Sequence, residues 1–300
     1  LATVVDESST RIRLDLAYDG NGFSGWARQP GLRTVQGVLE DALATVFHRD
    51  GEPPTITVAG RTDAGVHATG QVAHVDLTPR QWARLGRPHG SRPAPEPAAA
   101  LARRLNGIAG LTSDVVVSRA TVAPPEFDAR FSPVWRRYEY RVADAAAERN
   151  PLHRGFTVWY PGLLEVDLMN TAARELLGLH DWAAYCRPRE GATTIRELQE
   201  FTWHRDGDGV LVARLQADAF CHSMVRALVG AAVSVGDGKL PGTRLVGIRE
   251  EAQRTSEFKV MPAAGLTLVE VGYPPDEELR ARAEQTRARR DTQGLTGHPD

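Results

Sequence analysis

Residues 11–18 alternate strictly, with Ile12, Leu14, Leu16 and Tyr18 on one side and Arg11, Arg13 and Asp15 on the other. A period of two is that of a half-buried strand. Past the glycine-rich segment 19–25, Val35, Leu39, Leu43, Val46 and Phe47 recur at helical spacing behind Thr34, whose hydroxyl suits a helix N-cap. Strands are predicted at 55–58 and 71–77. A turn-forming, mobile loop over 86–97 (GRPHGSRPAPEP), a helix near 98–106 and a strand near 114–120 follow. This β-α-β-β-α-β order is that of a ferredoxin-like half.

A second half has a similar order. Tyr138, Tyr140 and Val142 alternate with Arg137, Glu139 and Arg141, again a half-buried strand. A helix from Asp167 is expected to carry Leu168, Ala172, Leu176 and Leu179 on one side. Strands at 200–205 and 210–217 flank the turn Asp206-Gly207-Asp208-Gly209, a strong hairpin signal. An apolar helix over 220–235, a polar segment and a strand at 265–271 complete the half, and a charged tail with a helix-like stretch at 276–290 ends in residues of disordered composition. The duplication is in element order, not in residues. The expected fold is α+β: two ferredoxin-like (RRM-like) halves forming a mixed, mostly antiparallel sheet, with helices on one side and a cleft between the halves. Expected boundaries are 1–125, 126–275 and, for the partly disordered tail, 276–300.

Composition narrows the class. With 300 residues, 42% hydrophobic and 25% charged, the chain is long enough for one large core or two modest ones. No stretch approaches the roughly 20 consecutive apolar residues of a membrane helix, and the first residues lack a basic-then-apolar leader, so no membrane association and a cytoplasmic location are expected. Cys186 and Cys221 lie far apart without CxxC spacing. Neither a disulfide framework nor a zinc site is expected from them, and both read as buried small residues. A net charge of −2 argues against coating nucleic acid through bulk charge, but leaves a clustered basic face open. Of the 36 basic residues only Lys239 and Lys259 are lysines, which fits either a coding bias or a use of guanidinium forks on phosphates and bases.

The segment 59–67, AGRTDAGVH, sits between two predicted strands, where a tight loop presents side chains while the sheet holds the backbone. Gly60 and Gly65 permit close approach or unusual dihedrals. An isolated Asp-Ala-Gly is a turn; what suggests chemistry is Arg61, a cation that would favour the ionised form of Asp63 and so a nucleophile.

The run GRTDAGVHATGQVAH at 60–74 closely resembles the signature of the TruA family of tRNA pseudouridine synthases. AYDGNGFSGWARQ (17–29), TVQGVLEDAL (34–43), FDARFSPVWRRYEYRV (127–142), AFCHSMVRALVG (219–230) and AAGLTLVEVGYP (263–274) resemble further segments in the family's order, so that the likeness covers 11–274. The loop 86–97 and the tail have no counterpart, and Cys221-His222-Ser223 departs from the bulkier residues usual there. The resemblance implies a uridine-to-pseudouridine isomerase acting on the 3′ side of the anticodon stem and loop of tRNA, without cofactor or metal, as a homodimer. It implies Asp63 as the catalytic carboxylate, Arg226 in the active site with Asp63 as its expected partner, and Tyr138 stacking on the substrate; Arg61 is expected to bind substrate as well. For Tyr140 a core role fits better, His67 reads as a loop anchor, and Cys221 and His222 as packing residues. Arg28, Arg33, Arg61, Arg103 and Arg104 are expected to form a phosphate-binding track. Two other classes compete: a non-catalytic RNA-binding protein, which would not need Asp63, and a glycoside hydrolase, which would need a second acid that the sequence does not single out.

Overall fold

The computed structural model describes residues 9–88, 93–189 and 193–294. Part of the expected mobile loop (89–92) and the tail end expected to be disordered (295–300) lie outside the described residues. The chain divides into two compact units, Leu1–Val134 with Tyr273–Asp300, and Trp135–Gly272.

The first unit contains β1 (Thr10–Tyr18), α1 (Val35–Phe47), β2 (Thr57–Val58), β3 (His67–Leu77), α2 (Pro79–Leu85), α3 (Pro97–Ala109) and β4 (Val115–Val122). Its strands lie in the order β4-β1-β3-β2, antiparallel throughout, with Leu14 opposite both Ala73 and Ala120. Ile12, Leu14 and Leu16 are fully buried, so the alternation of β1 is its burial pattern. The Thr34 hydroxyl accepts the Gly37 N–H at 3.2 Å and caps α1, which buries Val35, Leu39, Leu43 and Phe47. The sequence reading lacks α2, although its signal is present: Thr78 and Gln81 form a reciprocal capping box, with Pro79 in the first turn. Seven residues give too few apolar turns for periodicity to register.

The second unit contains β5 (Trp135–Ala143), β6 (Val158–Trp159), α4 (Val166–Arg174), β7 (Gly178–Asp181), β8 (Ile195–Arg205), β9 (Leu211–Ala217), α5 (Met224–Gly236), α6 (Thr243–Glu251) and β10 (Leu266–Gly272). The order is β10-β5-β9-β8-β7, and only the short β5–β6 pairing is parallel among the described pairs. Numbering β5, β8, β9 and β10 as four strands gives last-first-third-second, the order of the first unit. The fold is therefore α+β with mostly antiparallel pairing.

Three expectations for this unit are corrected. The buried side of α4 is Met169, Ala172 and Ala173, whereas Leu168 is 53% exposed and Leu179 falls in β7. The helix stops at Arg174, and Gly178, at φ +110°, turns the chain into the strand. The apolar helix begins at Met224 rather than 220, because Ser223 holds a left-handed φ of 66° that a helix cannot contain. Cys186 and Cys221 form a disulfide, with Cα atoms 5.8 Å apart. A separation of 35 residues gave no hint of it, but the fold runs the two segments side by side, and Arg187 N–H donates to the His222 carbonyl at 2.9 Å.

Beyond β10 the tail forms α7 (Leu279–Gly294). Leu279 and Ala283 are buried, and Arg280 and Arg287 pair with Glu126 and Asp128 at 2.5 and 2.6 Å. Its first turns are thus part of the first unit.

Candidate active site

Asp63 is half-buried on the turn between β2 and β3. The turn rests on residues 18–26 of the same unit. Trp26 N–H donates to the Thr62 carbonyl at 3.0 Å, and the Tyr18 hydroxyl and Thr62 Oγ1 lie 2.8 Å apart. Gln71, with no exposed surface, donates from Nε2 to the Gly60 carbonyl at 2.9 Å and to the Tyr18 oxygen at 3.1 Å. Burial pushes the Tyr18 phenol up to about 12 against the opposing bonds of Thr62 and Gln71, so it remains a neutral hydroxyl. Gly25, at φ +94°, backs directly onto the turn that carries Asp63: a Cβ there would lie 3.1 Å from the Thr62 carbonyl oxygen and 3.4 Å from the Asp63 carbonyl carbon. Gly20 meets the Val66 carbonyl so closely that a Cβ would overlap it.

His67 is buried, and its Nδ1 accepts the Gly20 N–H at 3.1 Å with Asp19 Oδ1 3.2 Å away. The ring therefore ties the turn to its support, a loop-holding role. Arg61 is exposed, and its side chain makes no hydrogen bond or ion pair among the described residues.

In the second unit, Tyr138 is half-buried in the middle of β5, opposite Leu268 and Leu215, and its ring meets Phe220 edge-on at 5.2 Å. Tyr140, two residues on, is fully buried, donates to the Pro262 carbonyl at 2.7 Å, and has its phenol raised by burial. It is a core residue. Arg226 lies in the first turn of α5, half-buried, and donates from Nε to the Met261 carbonyl at 2.6 Å while its own carbonyl accepts the Met261 N–H. The partner described for it within its unit is thus a carbonyl.

Of the expected phosphate track, Arg28 is held by Glu40 and Asp41, and Arg33 by Asp114 through two bonds of 2.6 and 2.7 Å while lying over the Phe23 ring. These two are neutralised locally. Sequence reasoning passed over Tyr18, Thr62 and Gln71 as supports. Thr62 and Gln71 stand inside the 60–74 motif, which is the signal that would have found them.

Residues 172–274 match a family model described as tRNA pseudouridine synthase. The tRNA pseudouridine synthase A of Leifsonia xyli subsp. xyli is 66% identical over 284 residues, 95% of this chain and 99% of that protein. The chain belongs to the tRNA pseudouridine synthase A family. Pseudouridine synthases of the same name from Streptomyces griseus subsp. griseus and Mycobacterium leprae are 52% and 47% identical, each over 92% of this chain, covering 93% and 94% of those proteins. A match over 95% of the chain spans both units. As a member of the family, the synthase is an isomerase acting on uridine in tRNA. No helix among the described residues is long and apolar enough to cross a membrane.

Proposed function

We propose that this synthase isomerises uridines on the 3′ side of the anticodon stem and loop, with Asp63 as the carboxylate that performs the chemistry. Arg226 is the second catalytic residue; Tyr138 stacks on the uracil, and Arg61 contacts the substrate. The reaction is atom-neutral: the C1′–N1 bond breaks, the uracil turns while held, a C1′–C5 bond forms, and the hydrogen lost from C5 is balanced by one gained at N1. The target must leave the base stack, at a cost of a few kcal/mol, and a stacking ring offsets part of that. The observation that carries the assignment is the support beneath Asp63: its turn is fixed by Tyr18, Trp26 and Gln71, while Arg61 beside it stays exposed. A carboxylate held this way reacts without first being ordered.

Position-resolved mapping of pseudouridine in unmodified tRNA transcripts tests the specificity, and modification outside the anticodon arm would refute it. Asp63→Asn keeps shape and most hydrogen-bonding capacity but removes the ionisable group. It should bind tRNA and form almost no pseudouridine with enzyme in excess. Release of free uracil by the wild type would point to a hydrolase instead. The homodimer rests on the family resemblance, and sedimentation of the purified chain checks it; the cytoplasmic location rests on the sequence pattern.

A further inference from the structure

The ends of three helices in the first unit enclose an open pocket of about 520 Å³. Thr45 and Val46 line it from the last turn of α1, Arg84 from that of α2, and Arg104 and Ile108 from α3, with Arg87 at its rim. Asp50, 7% exposed, pairs with Arg84 at 3.1 Å and with Arg80 at 3.5 Å. Arg103 and Arg104 stand close enough to influence one another, and Arg104 also feels Arg84. Five guanidinium charges thus stand at or beside the pocket, with Asp50 the carboxylate that pairs among them. Each helix C-terminus adds about half a negative charge, so three of them with Asp50 still leave an excess of more than two positive charges.

Among the described residues, no ion pair offsets this excess beyond those of Asp50. The side chains of Arg87 and Arg104 make no hydrogen bond or ion pair among the described residues, and the buried Nε–H of Arg84 has no hydrogen-bond partner there. Burial, then Arg84 and Arg103, disfavour the Arg104 charge; Asp50 opposes them only in part. The wall of Val46 and Ile108 lowers the local dielectric and strengthens guanidinium contact with an anion. No aromatic or amide side chain lines the pocket among the described residues, so nothing there reads a base edge. Guanidinium forks match phosphate oxygens.

We propose that this pocket binds a backbone phosphodiester of the tRNA substrate at a place separate from the uridine being isomerised. The inference rests on the tRNA substrate of the proposed function. Separation follows from α1, whose Val35 N–H bonds Gly25 beside the catalytic turn, and whose thirteen residues carry the chain about 18 Å to the pocket at its other end. The phosphate bound here belongs to a nucleotide several positions from the target.

The test compares Arg104→Gln, Arg104→Lys and Arg87→Gln/Arg104→Gln with the wild type in tRNA binding across a salt series. Each lost phosphate contact should lower the slope of log affinity against log salt by about one, and weaken binding several-fold at low salt. Arg104→Lys should restore most of the slope. Because the Arg104 charge is disfavoured in the free protein, Arg104→Gln should melt at or above the wild-type temperature, whereas a purely structural arginine would lower it. Unchanged affinity and slope in the double variant would overturn the proposal, and so would stabilisation by inorganic phosphate, lost in the double variant, without any change in tRNA binding. If the wild type forms no pseudouridine, the functional reading fails; if it does and the variants bind like it, the pocket alone fails.

Discussion

Gln71→Leu probes how far the support under Asp63 governs the chemistry. The side chain is fully buried and its amide donates to Gly60 and Tyr18, while its oxygen accepts the Val72 N–H at 3.2 Å. Leucine fills similar space and makes none of these bonds. A buried group left without its partner costs about 1–3 kcal/mol, but Gly60 is only half-buried, so the loss at its carbonyl falls at the lower end. With the phenol retaining Thr62, the sum is about 2–3 kcal/mol, or roughly 5–10 °C of melting temperature for a unit of this size. The effect on rate is larger in proportion, since a misplacement of about 1 Å is worth on the order of 100-fold. With enzyme in excess and saturating, well below the melting transition, the single-turnover constant should fall at least tenfold while tRNA affinity stays near that of wild type. Tyr18→Phe removes another link of the chain, and the pair should be non-additive. A Gln71→Leu protein that melts early yet turns over within twofold of wild type would refute the claim that this network positions Asp63.

Replacing Tyr138 with Phe should retain stacking and lose the hydroxyl, whereas Leu should weaken both; a Phe variant with full single-turnover activity would remove any proton-transfer role. His74 is buried, its Nδ1 accepts the Ala129 N–H at 3.0 Å, and burial, reinforced by Arg11, lowers its pKa to about 4 despite Asp128 and Asp76. The unfolded imidazole takes up its proton near 6.5 and the folded one does not, so stability should fall as pH drops from about 6.5 towards 4; urea midpoints at pH 7.5 and 5 check this, and His74→Gln should flatten the dependence. Burial works to raise the Asp144 carboxyl, yet two Arg205 bonds of 2.8 and 2.7 Å and the Leu164 and Ala146 amides hold it below the usual range. Arg205→Ala should cost about 3 kcal/mol in chemical denaturation, because it leaves that carboxylate buried without its cation.

The parts of the fold that were legible share one property: a side-chain period with one face covered. β1 and α1 appear in the sequence with their caps and buried positions because burial alone dictates those patterns. The stripe Leu168-Ala172-Leu176-Leu179 has helical spacing too, yet the chain leaves the helix before its end, and a nearby strand decides which side is covered. In α6, Leu245 and Ile248 are too few to stand out from a polar segment. The carboxylate turn was visible because glycines and charges cluster there. Its support was not: the bond from Gln71 to Tyr18 joins residues 53 apart, and the disulfide joins residues 35 apart. Long-range polar pairing leaves no period.

The strand order shared by both units places each unit's first and last strands side by side, and for the second unit this has a consequence for modularity. The chain passes into it at Trp135 and out at Gly272, which are register partners on β5 and β10. Paired antiparallel residues lie about 5 Å apart. A whole lobe is therefore spliced into a host whose own ends, Val134 and Tyr273, need only a short turn to rejoin. Either piece is a natural boundary for excision, permutation or exchange with another member of the family.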